Sequence, residues 1–310
     1  MVKLDFDLQR DVPELTGKVL LITGTNGLGA AAAKMLASRN PAKIYITGRK
    51  DAAAQKTISD IKSAGSTAEV TWIRCDHARL ASVQEAADKI LAQEFRLDML
   101  MANAGVMALP PGLTAGLTGD GYELHFGINH IAHALLIRKL LPLLQKTAEE
   151  HGEARVIPVS SLALVPAPKG GIVFNDFKTT QAYWILGKWQ RYAQSKLANL
   201  LYGRELARRY PEVLTLVDDP GPSNTGLVTS LGWVDKMIVY LGNYNKFLDD
   251  DQGHWNQVWL VGVSKEKAST GGLYEPVGIP SQPYTAYCLD DKLAARLWEW
   301  TEDELKPWLT

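Results

Sequence analysis

The 310-residue chain carries 33 Lys plus Arg against 34 Asp plus Glu, a formal net charge of −1, with 46% hydrophobic and 22% charged residues. That balance excludes a disordered chain and leaves no electrostatic footprint for nucleic acid or an anionic membrane. Cys75 and Cys288 are too few for a disulfide framework; residues 1–18, with Asp5, Asp7, Asp11 and Glu14, do not read as a signal peptide; and no run approaches the roughly 18 apolar residues of a membrane span, so a cytoplasmic protein is expected.

In chain order, apolar β-branched runs alternate with helical patterns. Strands are expected at 18–23, 43–47, 69–74, 98–102, 155–159 and 214–217, with a possible seventh at 272–275. Helices are expected at 30–39, 51–64, 80–93, 121–145 and 191–210. Strands separated by helices of this length imply βαβ units and a parallel, doubly wound α/β sheet of about seven strands with right-handed crossovers. Pro158 is unusual inside the fifth strand, because proline gives no ladder N–H. Residues 226–265 are aromatic-rich and read as a helical insertion, and 291–309 as a helical tail with Trp298, Trp300 and Trp308. No linker or repeat breaks the pattern, so one domain spans 1–310, with a core at 18–225, an insertion at 226–270 and a tail at 276–310.

The first strand runs into Thr23-Gly24-Thr25-Asn26-Gly27-Leu28-Gly29, and a helix follows at once. Glycines there permit a tight turn and close approach of backbone to a pyrophosphate, while the helix start offers free N–H groups and a positive dipole end. The spacing differs from G-x-G-x-x-G, and a glycine turn alone is weak evidence. The second strand ends in Thr47-Gly48-Arg49-Lys50, with no acid before Asp51. An acid at that point usually binds the ribose 2′-OH of NAD; Arg49 instead offers a planar cation suited to a 2′-phosphate, which favours NADP. Tyr192 and Lys196 are i, i+4 on a predicted helix and share a face. A fixed ammonium beside a phenol is expected to lower its pKa toward useful acid–base strength.

Together these motifs make the chain resemble the short-chain dehydrogenase/reductase family over about residues 18–275. Thr23 to Gly29 is similar to the family's T-G-x-x-x-G-x-G, and Ala102-Asn103-Ala104-Gly105 to its N-N-A-G with the first Asn replaced. Asn129, Ser161, Tyr192 and Lys196 match the family's catalytic set. Asp76 matches the residue that contacts the adenine, and Pro220-Gly221-Pro-Ser-Asn-Thr225 its P-G-x-x-x-T segment. The stretch from Ser195 to Asn199 resembles the branch of retinol-dehydrogenase-like and related carbonyl reductases. The resemblance implies an NADP(H)-dependent oxidoreductase acting on the carbonyl or alcohol of an apolar small molecule. The cofactor would contact Thr23, Gly24, Asn26, Gly27, Leu28, Gly29, Arg49, Asp76, Asn103, Tyr192, Lys196, Pro220, Gly221 and Thr225. Tyr192 would donate the proton, Lys196 would lower its pKa and hold the nicotinamide ribose, Ser161 would bind the substrate oxygen, and Asn129 would hold a relay water.

Three features depart from the family. Ser161 and Tyr192 lie 31 positions apart, with Trp184 and Trp189 between them. That stretch reads either as a pocket wall or as cover for a helix face that many relatives use for dimers, so monomer and homodimer both stay open. Asp218-Asp219 stands before Pro220 where relatives are often neutral; the pair is expected in solvent or capping a turn, with contact to a cationic substrate as the alternative. Trp233, Met237, Tyr240, Tyr244, Phe247, Trp255 and Trp259 read either as walls for an apolar substrate or as ordinary core. No metal is expected: His130 and His133 lack a third ligand at useful spacing. His125 and His151 read as surface or partly buried residues, Cys75 as a small core residue, and Gly-x-Ser-x-Gly is absent. The competing functions are a non-catalytic NADP-binding sensor or scaffold, and a non-redox isomerase or cyclase on the same fold.

Overall fold

The computed structural model describes residues 4–109, 116–183, 186–223, 226–229, 231–242, 247–249 and 251–309. A short α1 (Leu8–Asp11) leads into β1 (Val19–Thr23), α2 (Gly27–Ala37), β2 (Lys43–Gly48), α3 (Asp51–Ser63), β3 (Glu69–Arg74), α4 (Leu80–Leu91) and β4 (Met99–Ala102). Next come α5 (Leu124–Phe126), a π turn (Gly127–Ile131), α6 (Ala132–His151), β5 (Arg155–Pro158) and α7 (Gly187–Arg209). Beyond them lie β6 (Leu214–Thr215), β7 (Val217–Asp218), α8 (Gly226–Thr229), α9 (Trp233–Gly242), α10 (Trp255–Gly262), β8 (Leu273–Glu275), β9 (Ile279–Pro280) and α11 (Asp291–Leu305).

β1 is Val-Leu-Leu-Ile-Thr, buried at every position. A strand apolar on both faces belongs inside a parallel sheet covered by helices on both sides. The observed order is β3-β2-β1-β4-β5-β6, parallel throughout. The order reverses between β1 and β4, and ligands of such sheets bind beyond the strand carboxyl ends at that point. The sixth strand pauses at Leu216 and resumes as β7, whose Asp218 carbonyl accepts Ser160 N at 2.7 Å. β8, the expected seventh strand, pairs parallel with β7, and β9 turns back antiparallel. Pro158 sits last in β5 opposite Ala102, where the ladder ends.

One face of the sheet packs Leu20, Ile22, Ile44 and Met101 against α2 and α10, through Leu36 and Val258. The other packs Leu21, Leu100 and Val156 against α4, α6, α7 and α11. Gly203 lets α7 lie close to the sheet: a Cβ there would stand 2.7 Å from Val217 Cγ2. The tail α11 closes this face by stacking Trp298 on Tyr202, with ring centroids 4.7 Å apart.

The long stretch before Tyr192 folds chiefly onto α7. Val173 N donates to Gln194 Oε1 at 2.7 Å, and Gln181 accepts from both Arg191 and Gln194. Trp184 lies outside the described residues. The aromatic insertion divides in two. Trp255 packs on Phe6 and Trp259 on Tyr274, both as ordinary core contacts. Trp233, Met237 and Tyr240 are instead exposed, at 77%, 48% and 42%, so they are not buried pocket walls. Tyr240 stacks on Phe247, and Tyr244 lies outside the described residues.

Candidate active site

β1 delivers the glycine turn to the sheet edge. Gly24 has φ +110 and its N–H donates to Thr47 O at 2.8 Å, which bends the chain away from the sheet. Asn26 occupies the N-cap of α2 without a side-chain cap bond, so the helix start presents its own N–H groups. A Cβ at Gly24 would come within 2.8 Å of Asn103 Nδ2, and one at Gly29 would collide with the same nitrogen and lie 3.1 Å from Thr23 O. Beside Gly27 there is open space and φ is +57. Bare backbone at a helix N-terminus is what a pyrophosphate requires, so this edge fits a dinucleotide. Gly29→Ala is expected to displace Asn103 and lower stability by about 1–3 kcal/mol, the usual range for overpacking, measured as a shift of the denaturant midpoint.

The loop after β4 locks onto the turn. Asn103 N and Ala104 N each donate to Thr23 Oγ1 at 2.8 Å, and Asn103 Nδ2 donates to Thr23 O at 2.7 Å. Leu28 is partly buried at the start of α2, and Arg49 is exposed at the end of β2. Asp76 follows β3 and turns its Oδ1 to Ala78 N. Pro220 and Gly221 are partly buried; Gly221 has φ +71, and its N–H donates to Asp219 Oδ1 at 3.0 Å. Thr225 lies outside the described residues.

The four residues expected to form the catalytic set lie at the same edge. Tyr192 is 5% exposed and Lys196 follows one turn later. Lys196 Nζ donates to Val159 O at 2.9 Å and stands 5.7 Å from the Tyr192 ring centroid. Ser161 caps a short 3-10 turn by accepting Ala163 N at 3.1 Å, and also hydrogen-bonds Tyr192. Asn129 is fully buried in the π turn, an interruption of the kind often found at functional sites. Its Nδ2 donates to Val106 O and Ser195 Oγ, its Oδ1 accepts Val106 N, and its carbonyl meets His133 Nδ1 at 3.0 Å.

The electrostatics depart from expectation. Burial raises the Tyr192 phenol well above its usual range, Asp219 adds to the rise, and the hydrogen bond with Ser161 opposes it. Lys196 does not set this value; burial brings Lys196 itself down to about 8, against the pull of Asp218 and Asp219. Those two acids are not in solvent: Asp218 is 0% and Asp219 3% exposed. Asp219 does cap the Gly221 turn, and its Oδ2 accepts Tyr284 OH at 2.9 Å. Asp218 Oδ1 accepts Asn256 Nδ2 at 2.7 Å. The acids look like solvated residues because carboxylates seldom bury without partners; here Asn256 of α10 supplies one for Asp218, and Gly221 N and Tyr284 OH supply those of Asp219.

His125 is likewise buried, not superficial. Its Nδ1 meets Glu123 Oε1 at 2.7 Å, its Nε2 accepts Leu109 N, and its ring stands edge-on to Tyr192 at 6.2 Å. His130 bonds Thr301 Oγ1, and His133 bonds Thr23 Oγ1 at 2.9 Å. Cys75, one residue past β3, is buried, and burial pushes its thiol up to about 12. Around Tyr192 lie buried Ala108, Trp189 and Leu231, with Met107, Ala163 and Val239 against them. Asn256 and Gln257, both 0% exposed, were absent from the sequence reading. Their one signal is an amide pair inside an otherwise apolar run, Trp255 to Val263.

Comparison with known proteins agrees with this geometry. The family model described as short chain dehydrogenase matches residues 18–175. A short-chain dehydrogenase/reductase of Aspergillus calidoustus is 32% identical over 312 residues, covering 95% of this chain and 96% of that one. Human retinol dehydrogenase 12 is 38% identical over 218 residues, 69% of this chain and 64% of its own. The NADPH-bound carbonyl reductase from chicken fatty liver superimposes with a TM-score of 0.62 at 21% identity, over 86% of this chain and 99% of that one, a likeness of fold. Among the described residues no helix is long and apolar enough to cross a membrane.

Proposed function

The chain belongs to the short-chain dehydrogenase/reductase family, and from that premise we propose that it is an NADP(H)-dependent oxidoreductase reducing the carbonyl, or oxidising the alcohol, of an apolar small molecule. The observation that carries this reading is Tyr192: a buried phenol bonded to Ser161, with Lys196 one turn away, at the carboxyl edge of the sheet beside the glycine turn.

A bound nicotinamide cofactor would supply the hydride. Thr23 to Gly29 would hold its pyrophosphate, Asp76 its adenine, Asn103, Pro220, Gly221 and Thr225 the nicotinamide half, and Lys196 the nicotinamide ribose. Tyr192 then donates its proton to the substrate oxygen, and Ser161 hydrogen-bonds the same atom as charge develops there. Lys196 returns a proton toward Tyr192. The Asn129 amide is committed to Val106 and Ser195, so its carbonyl, with a second lone pair beside His133, is the atom that holds the relay water. The apolar neighbours Ala108, Trp189 and Leu231 favour an apolar substrate.

NADPH oxidation with a panel of apolar and charged ketones and aldehydes tests the reading, with turnover expected for the apolar set. A protein that binds NADPH, reduces none of them and oxidises no alcohol with NADP would instead be the non-catalytic scaffold. For the cofactor, Arg49→Ala is expected to weaken NADPH binding roughly tenfold to a hundredfold, the loss of one charge-assisted contact, and to leave NADH unchanged. Equal affinity of the wild type for both would remove the NADP preference.

We further propose that the chain works as one domain, a view supported by the bonds of Asn256 on α10 to Asp218 and the packing of α11 on α7. A cytoplasmic location is proposed as well, to which the free thiols of Cys75 and Cys288 lend support.

A further inference from the structure

His133 is the second residue of α6, and its two ring nitrogens face two parts of the site that lie far apart in sequence. Nδ1 is 3.0 Å from the carbonyl of Asn129 in the π turn, and Nε2 is 2.9 Å from Thr23 Oγ1 at the end of β1. His133 is 3% exposed and both of its partners 0%. Buried polar atoms of this kind need partners of the right sense, donor against acceptor.

The direction of each bond follows from donor and acceptor capacity. A carbonyl oxygen only accepts, so Nδ1 carries a proton and donates it to Asn129 O. Thr23 Oγ1 already accepts Asn103 N and Ala104 N, both at 2.8 Å, which fills its two lone pairs. Its own proton must point outward, and His133 Nε2 at 2.9 Å is a nearer acceptor than Met101 O at 3.4 Å. A proton on Nε2 would instead ask Thr23 Oγ1 to accept a third N–H. The bonds on the two sides of the ring therefore select a single state, the neutral Nδ1–H tautomer. We propose that His133 is a positioning residue: as a neutral imidazole it takes one lone pair of the Asn129 carbonyl, fixing where the other points, and holds the Thr23 hydroxyl at the cofactor edge.

The surroundings agree with an uncharged ring. His77 stands edge-on to His133, with centroids 4.5 Å apart. Burial is the largest influence against protonation of His133, and charge on His77, Lys196 or His130 would add to it; the bond to the Asn129 carbonyl works the other way. His133 thus reaches the glycine turn through Thr23, and through the same hydroxyl the loop at Asn103 and Ala104. Its other side reaches the carbonyl assigned to the relay water.

The consequences for binding and rate rest on the oxidoreductase reading, but the tautomer does not. The two bonds can be cut one at a time. Asparagine places its amide nitrogen where Nδ1 stands, and glutamine places its amide oxygen near the position of Nε2. His133→Asn is expected to keep the bond to Asn129 O and lose Thr23. NADPH binding then weakens about threefold to tenfold, the effect of one hydrogen bond, while kcat at saturating NADPH stays within about twofold. His133→Gln is expected to do the reverse: kcat falls about tenfold and NADPH affinity stays within about twofold. A histidine that only supports the fold would move both quantities together in both variants, or neither, and either result overturns the positioning role. The tautomer is read on the cofactor-free wild type by nuclear magnetic resonance of 15N-labelled histidine. His133 is expected to show a protonated Nδ1 and a bare Nε2, unchanged from about pH 8 to about pH 5. A protonated Nε2, or titration within that range, overturns the proposal even if neither variant folds. A wild type that turns over no carbonyl or alcohol removes the oxidoreductase reading and the Asn129 arm with it; the tautomer and the NADPH comparison still decide the Thr23 arm.

Discussion

Tyr192→Phe is expected to lower kcat/KM for carbonyl reduction by roughly 10²- to 10⁴-fold, the usual contribution of a positioned general acid, and to leave NADPH affinity within about twofold. The ring is what the fold needs: it packs with Ala108, Trp189 and Leu231, and phenylalanine keeps those contacts. The hydroxyl is what the reaction needs, and its removal takes away only the bond with Ser161. Steady-state turnover and a direct binding titration separate the two effects. Unchanged turnover would withdraw Tyr192 from the chemistry altogether. Because burial raises the phenol, Tyr192 stays protonated through the neutral range and is ready to donate. Lys196 is the group that titrates near working pH. Burial brings it to about 8, so above that pH its ammonium is lost. Reduction is expected to decline there, seen as an alkaline limb in the kcat/KM profile.

How much of this site was legible depended on sequence distance. The glycine turn spans Thr23 to Gly29, and Tyr192 and Lys196 are one helical turn apart; both are local patterns fixed by strand and helix geometry. The parallel, doubly wound sheet followed from the alternation of strands and helices, because right-handed crossovers leave few topologies; the order of its strands came only with the structure. The buried partners were a different matter. Asp218 meets Asn256, 38 positions away, and no periodicity announces such a pair. The solvent reading of Asp218-Asp219 failed because burial is decided by partners far along the chain, Asn256 for Asp218 and Tyr284 for Asp219, not by the acids themselves. The π turn at Asn129 was also hidden, since one extra residue per turn leaves the apolar pattern of α6 nearly unchanged. The aromatic run of the insertion misled in the opposite sense. Its residues face both inward and outward, and composition alone does not tell Trp233 from Trp259.

The network under Tyr192 is expected to matter to stability as much as the phenol does to rate. Glu123 is 1% exposed, accepts Phe126 N at 2.8 Å, holds His125 at 2.7 Å and pairs with Arg191 at 3.3 Å. Arg191 itself is 6% exposed and otherwise donates to Gln181 O. Glu123→Ala would strand a guanidinium in the interior, and removal of one partner of a buried ion pair costs about 3–5 kcal/mol, measured as a lower denaturant midpoint. Glu123→Gln keeps an acceptor for Phe126 N but turns an NH2 group toward His125 and Arg191, so it loses one acceptor as well as the charge, and a loss smaller than that of Glu123→Ala is expected. The decisive variant is Glu123→Ala with Arg191→Met. If the stranded charge is the cause, the double variant regains stability relative to Glu123→Ala alone. If the double variant is no more stable, the loss comes from packing around α5 rather than from the buried charge.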